Sequence, residues 1–284
     1  MENRGFKYDE IHRFLNLKED CVEPASAIAN IDDGIKMLIK HIAQKDLTYV
    51  QIDSDCDGYT SASILLNYLH CLYPSFVENN IMYRTHDMKA HGISMDDLPD
   101  NVKFIIIPDA SSNEYDKHKE LAERGIDILI IDHHEATSVS SYACVINNQL
   151  CDYSNKSLSG AGMVYKFCSR IDELMNKSYS KLYLDLTAVG LIGDMMDTRI
   201  CETKYLIDQG LENIRNPFLK AMIAKDQFHF SSGVDQHKVA FYIVPFINAI
   251  ARIGSLEDRR LLFEAMLDYR AYALIPSTKK GCKG

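Results

Sequence analysis

The sequence predicts an α/β fold: a parallel sheet flanked by helices, followed by a mostly helical C-terminal part. Three apolar runs of strand length stand at residues 47–52 (LTYVQI), 102–108 (VKFIIIP) and 126–131 (IDILII), with helix-compatible stretches between them. Strand alternating with helix is the pattern of a parallel layered sheet. Each of the three runs also ends in acidic residues, which gathers charge along one edge of that sheet.

Taken in chain order, residues 31–42 read as a helix. Ile31, Ile35, Leu38, Ile39 and Ile42 share a face, and Asp32 or Asp33 can cap it. After the first run, Ile64, Leu65, Tyr68, Leu69 and Leu72 form a helical stripe, and residues 81–84 are strand-like. The second and third runs are nearly continuous in Ile, Leu and Val, as strands covered on both faces should be. The polar segment 114–124 between them is helix-compatible. Beyond about residue 155 the pattern changes. The turn Ser159-Gly160-Ala161-Gly162 opens a stripe of Met163, Val164, Phe167, Cys168 and Ile171, and residues 181–196 and 257–270 look helical. The last third keeps a β signal only around residues 241–244. No Pro/Gly/Ser-rich linker divides the halves, so they are expected to pack together.

With 284 residues, 46% apolar and 25% charged, the composition is that of a globular protein. The eight cysteines form no CxxC pair, which argues against a zinc ribbon, and a chain this long needs no disulfide scaffold. No apolar run approaches the ~20 residues that cross a bilayer. The N-terminus lacks the apolar core of a signal peptide. A cytoplasmic protein with no membrane partner is expected. The net charge of −9 does not suggest a broad nucleic-acid face. A carboxylate-rich metal site would account for part of it, because bound cations offset that charge. Lys279, Lys280 and Lys283 make a basic tail whose plain reading is a solvated end.

The three acidic strand ends are Asp53-Ser54-Asp55-Cys56-Asp57-Gly58, Asp109, and Asp132-His133-His134. Carboxylates crowded together repel unless some protonate or cations intervene. Oxygen ligands with one or two imidazoles suit Mn²⁺ or Mg²⁺. Two such ions ~3.5–4 Å apart can generate hydroxide and stabilise charge on a phosphoryl group. Gly193-Asp194 follows the apolar stretch 186–192, where an aspartate is costly unless it is paired or ligates a metal. An EF-hand loop is excluded, since its twelfth position is Ile64. Each element has a plainer alternative: Asp53 as a helix cap or turn residue, Asp109 as a loop residue, His133-His134 as an isolated pair. Their common placement at strand ends points instead to one shared metal site.

In these residues the chain resembles the DHH phosphoesterase family, and within it the RecJ-like single-strand-specific exonucleases. The family's first motif matches Asp53, Asp55, Asp57 and Gly58; the second matches Asp109; the third matches Asp132, His133 and His134; the fourth matches Gly193 and Asp194. Order and spacing agree over residues 45–200. Residues 158–162 (LSGAG) resemble a turn of the exonuclease branch, and Asn248-Ala249 with Arg252 resembles its Asn-Ala-x-x-Arg element. Other branches place a histidine four residues before the first ligand aspartate, where this chain has Gln51. Ala251 departs mildly from the glycine common before that arginine.

The resemblance implies two ions, Mn²⁺ or Mg²⁺, held by Asp55, Asp57, Asp109, His133 and Asp194, with Asp109 bridging. Asp53 would ligate or support from outside. It implies that Asp132 orients the histidine pair, and that His134 contacts the scissile phosphate or protonates the leaving oxygen. Arg252 would clamp phosphate through its planar fork, with a structural salt bridge as the alternative. His86, Lys89, His91 and Asn248 are further candidate substrate contacts. Three segments are expected: 1–45, an N-terminal helical segment; 46–200, the DHH α/β catalytic core; 201–284, a helical part and connector to an absent DHHA1-type domain.

The implied activity is 5′→3′ removal of mononucleotides from single-stranded DNA. An alternative is cleavage of short oligoribonucleotides or cyclic dinucleotides, which Gln51 and the Asn248–Arg252 element disfavour. A second is a non-catalytic scaffold for replication or repair partners, although no ligand residue is missing. The expected partners are single-stranded DNA or short oligonucleotides, together with a separate DHHA1- or OB-type domain or protein.

Overall fold

Five strands make one sheet in a computed structural model that describes residues 7–86, 91–95 and 98–272. They are β1 (Thr48–Ile52), β2 (Ile81–Thr85), β3 (Phe104–Pro108), β4 (Asp127–Asp132) and β5 (Cys144–Asn147). Their order is β2-β1-β3-β4-β5, and every neighbouring pair is parallel. The chain leaves β1 to one side for β2 and returns to the other side for β3, so the order reverses beside β1. In open parallel sheets the crevice at such a switch point, beyond the carboxyl ends, is where ligands sit.

Helices lie before, between and after the strands: α1 (Tyr8–Leu15), α2 (Ile31–Gln44), α3 (Cys56–Leu72), α4 (Pro74–Asn80), α5 (Tyr115–Glu123), α6 (Gly160–Met175) and α7 (Leu184–Gly193). The rest is helical: α8 (Cys201–Glu212), α9 (Pro217–Lys225), α10 (Gln227–Phe230), α11 (Gln236–Lys238), α12 (Val244–Ile253) and α13 (Leu256–Met266). The architecture is the expected one. Alternate strand residues feed two cores, as a pleat covered on both faces requires. Ile106, Leu129, Ile131 and Ile146 join a large core with α2, α3, α6 and α7 that extends to Phe263 and Met266 of α13. Ile105, Ile107, Ile128, Ile130 and Val145 join a smaller one on the other face. Sheet and helical part thus share one continuous hydrophobic cluster.

Several local expectations change. The cap position of α2 is Asn30, in the left-handed region and without a side-chain cap. Asp32 and Asp33 stand in the first turn, where their charge suits the helix dipole, and Asp32 pairs with Arg170. The stripe expected in α3 is wider: residues 56–69 are all buried, because sheet, α6 and α7 surround the helix. β5 has no counterpart among the expected strands; it is only four residues long and follows the polar Ser140-Ser141. The segment 181–196 is a 3₁₀ turn (Ser180–Tyr183) leading into α7, which ends at Gly193.

The β signal at 241–244 is not a strand. Val239–Ile243 form a π-helical turn running into α12, and the Val244 N–H donates to the Val239 carbonyl, five residues back. Pro245 stands in the first turn of α12, where its missing N–H costs least. The aromatic and β-branched residues VAFYIV imitate a strand in sequence, but the buried pair Val239 and Ile243 is spaced for a helix against α7.

Candidate metal centre

The parallel register brings the acidic strand ends together. Pro108 pairs with Ile131, and the Asp109 N–H donates to the Ile131 carbonyl at 2.8 Å, so Asp109 emerges beside Asp132. Asp53 follows β1 directly. Asp55 caps α3, its Oδ1 accepting from the Gly58 N–H at 3.1 Å. The capping role considered for Asp53 therefore belongs to Asp55. Asp194 follows the end of α7 and completes the ring from the helical side.

Within this ring, single side-chain atoms of Asp53, Asp55 and Asp109 lie within 4.8 Å of one another. The same holds for Asp57, His133 and Asp194, and for Asp109, Asp132, His133 and His134. Asp109 belongs to two of these groups, as a bridging carboxylate would. His133 Nε2 lies 3.2 Å from Asp109 Oδ1, 3.4 Å from Asp194 Oδ2 and 3.8 Å from Asp57 Oδ2. Both Asp109 Oδ1 and His133 Nε2 are buried without a hydrogen-bond partner. Buried polar atoms are rarely left so. Two orphaned acceptors converging among carboxylates fit a divalent cation, and the donor set of oxygen with imidazole fits Mn²⁺ or Mg²⁺.

The electrostatics agree. Burial pushes the Asp109 carboxyl well above its usual range, and Asp57, Asp55 and Asp53 push it further. Burial raises Asp194 to about 7, again reinforced by Asp57 and Asp55. Burial also raises Asp53 to about 6, partly offset by His91, whose Nδ1 lies 2.8 Å from Asp53 Oδ2. Burial holds His133 below its ordinary value, so its ring is neutral and can offer a lone pair.

Asp132 behaves differently. Burial opposes its charge, yet hydrogen bonds from His134 and Ser112 more than offset this and hold the carboxyl low. Its Oδ1 accepts from the His133 and His134 N–H groups at 2.7 and 3.2 Å and lies 2.8 Å from His134 Nδ1. Its Oδ2 accepts from the Ser112 N–H at 3.0 Å. The hydrogen bond to Asp132 raises His134 to about 9, so this half-exposed imidazole carries a proton at neutral pH.

Asp57 is gripped by the start of α6. Its Oδ1 accepts from Ser159 Oγ at 2.8 Å and the Ala161 N–H at 3.1 Å, and its Oδ2 from the Gly160 N–H at 2.6 Å. A helix N-terminus favours a carboxylate there. Gly160 has to be glycine, because a Cβ would stand 2.4 Å from Asp109 Cβ. Asp109 itself holds a left-handed φ of 69°, strain of a kind that collects at functional positions.

The remaining candidates scatter. His91 and His134 line a cavity of about 400 Å³ with Asp53, Asp109, Asp132 and Ser112. Arg252 Nη2 lies 3.6 Å from Asp55 Oδ2. Asn248 Oδ1 accepts from the Cys56 N–H at 2.8 Å, so this residue holds the backbone between Asp55 and Asp57. His86 is buried, with its carbonyl accepting from Arg259 and its Nε2 unpartnered. Lys89 and the basic tail lie outside the described residues. Sequence reasoning missed Ser112 and Asn147, whose amide donates to the His134 carbonyl at 2.9 Å. Both act through neighbours that only the β3–β4–β5 pairing supplies.

Comparison with known proteins places this geometry. A protein provisionally named SPbeta prophage-derived single-strand DNA-specific exonuclease YorK, from Bacillus subtilis (strain 168), is 42% identical over 282 residues, covering 99% of this chain and 48% of that protein. The single-stranded-DNA-specific exonuclease RecJ of Thermus thermophilus is 24% identical over 252 residues, covering 87% of this chain and 37% of RecJ. The chain therefore spans about half the length, or less, of these relatives. A crystal structure of exonuclease RecJ bound to manganese shares the fold, with a TM-score of 0.74 at 22% identity over 86% of this chain and 62% of that one. The family profile described as "DHH family, N-terminal domain" matches residues 47–191. Since that span runs from β1 into α7 and takes in every acidic element except Asp194, the chain belongs to the DHH family.

Proposed function

We propose that this protein hydrolyses phosphodiester bonds of single-stranded DNA with two bound Mn²⁺ or Mg²⁺ ions, removing mononucleotides from the 5′ end. The observation that carries this reading is the convergence of Asp53, Asp55, Asp57, Asp109, His133 and Asp194, with orphaned acceptors on Asp109 and His133. The names of the relatives, single-strand DNA-specific exonucleases, support the substrate class.

Asp55, Asp57, Asp109, His133 and Asp194 would hold the ions, with Asp109 shared between them and Asp53 supporting beside His91. Bound there, the ions would lower the pKa of water and offset charge on the phosphoryl group. The chain's own residues do the rest. Asp132 fixes the His134 ring through Nδ1 and keeps it protonated, so its Nε2 can donate to the phosphate or to the leaving oxygen. Arg252 offers its guanidinium to the phosphate beside Asp55. Asn248 holds the Cys56 N–H and thereby the directions of Asp55 and Asp57.

We place the protein in the cytoplasm. The seven cysteines among the described residues are all free, which suits a reducing compartment, and no described helix is long and apolar enough to cross a membrane.

The test is Mn²⁺-dependent degradation of a long 5′-phosphorylated single strand, with 5′-blocked and 3′-blocked strands and dinucleotides in parallel. Wild type should shorten the long strand from its 5′ end, and Asp109→Ala should not. Cleavage of dinucleotides alone would replace the long-strand reading with one of short substrates. No metal-dependent cleavage of any substrate would overturn the enzymatic reading.

A further inference from the structure

We propose that Phe241, with His237 stacked on it, is a platform for one nucleobase of the strand whose phosphate lies at the acidic centre. The inference rests on the single-strand reading above and adds a binding position to it.

The argument begins with α12, whose inner face runs along the centre. Val244 Cγ1 lies 3.8 Å from the point a Cβ on Gly193 would occupy, next to Asp194. One turn on, Asn248 accepts from the Cys56 N–H, and after another turn Arg252 reaches to 3.6 Å from Asp55. Positions 244, 248 and 252 therefore trace a line from Asp194 to Asp55. Phe241 stands three residues before Val244, in the π-helical turn that leads into α12 at its Asp194 end.

Phe241 is 63% exposed. Its ring stacks on His237, with centroids 4.5 Å apart and planes 29° from parallel. It sits inside the π-helical turn, a rare conformation that collects at functional sites. An exposed aromatic on the turn that leads into the helix carrying Asn248 and Arg252 suits a nucleobase, since every base offers a π-face whatever its sequence. The local charge agrees: residues 213–253 hold five Lys and Arg against two Asp, in a chain of net charge −9. A backbone of phosphates thus meets a net positive stretch of chain, which ends in Arg252 of that line.

The experiment uses short thymidine strands, each carrying one 2-aminopurine at a different position from the 5′ end, mixed with the protein and Mn²⁺ and read by stopped flow before turnover. With wild type, fluorescence should be quenched strongly at one position. Phe241→Ala should lose that quench and weaken strand binding on the order of tenfold. Phe241→Trp should restore both, and His237→Ala should weaken both partially. A Phe241→Ala protein with an unchanged melting curve, the same quench and the same affinity would overturn the platform while leaving the single-strand reading intact. So would a Phe241→Ala protein that keeps strand affinity but loses self-association, which would assign the face to protein packing. A wild type that binds no strand in Mn²⁺ would overturn both.

Discussion

Two carboxylates a single strand apart, Asp109 and Asp132, are both buried, and their environments push them in opposite directions. Asp109 has like charges for neighbours and rises; Asp132 has three N–H donors and the His134 ring and falls. This separation gives Asp132 a fixed negative charge and His134 a retained proton. If His134 is the acid, kcat on a single strand at saturating Mn²⁺ should fall on an alkaline limb where that proton leaves, above the ordinary histidine value because the hydrogen bond to Asp132 retains it. Asp132→Asn should move that limb toward the ordinary histidine value of 6.5, since the supporting charge is gone. His134→Gln should cost roughly 10²–10⁴ in kcat and abolish the limb. An unchanged pH–rate profile in His134→Gln would remove the residue from the chemistry. The candidate residues themselves were legible because Asp and His at strand ends have little structural use in such numbers. Asn248 was legible as a type but not in its contact. Its bond to the Cys56 N–H joins residues 192 positions apart, which no local pattern encodes.

Elements were legible in proportion to how much of their environment their own sequence describes. β3 and β4 are covered on both faces and read as unbroken apolar runs. β5 offers four residues and borrows its hydrogen bonds from β4, so it disappears among neighbouring serines. The π turn at 239–243 failed for the opposite reason, since its residues favour strands and only packing against α7 makes them helical. The start of α6 shows how an element can serve two carboxylates together. Its first N–H groups hold Asp57, while the missing Cβ at Gly160 makes room for Asp109. Gly160→Ala must displace one or the other. Overpacking of this kind costs about 1–3 kcal/mol of stability. The expected result is a modest loss in thermal stability with a much larger loss of Mn²⁺ affinity, measured by titration calorimetry. Unchanged Mn²⁺ affinity would show that the close approach does not shape the centre.

Across the whole molecule, the same acidic centre should make stability depend on pH and metal together. Asp53 and Asp194 stand at about 6 and 7 in the folded protein, and Asp109 is also raised. Unfolded carboxyls titrate near 4, roughly. Between those values the folded state binds more protons than the unfolded state, so stability falls as pH rises. His134 acts in the same direction: its raised value favours the folded state below about 6.5 and loses that contribution as pH climbs through about 9. The lowered carboxyls, Asp132 together with Asp32 and Asp127, contribute above the unfolded range and lose their contribution only in stronger acid. They therefore do not reverse the slope between pH 5 and 8; burial also holds His133, His86 and His118 below 6.5, which opposes the slope only up to about that pH. Metal-free protein should melt lower at pH 8 than at pH 6.5, and Asp194→Asn should raise the pH 8 value by a few degrees. Mn²⁺ should stabilise the wild type at both pH values, more at pH 8, where protons no longer compete for the ligands. Thermal unfolding in chelator and in Mn²⁺ at the two pH values decides the matter. A metal-free stability that stays flat or rises toward pH 8, with no added stability from Mn²⁺, would mean that the carboxylates are reconciled by something other than cations.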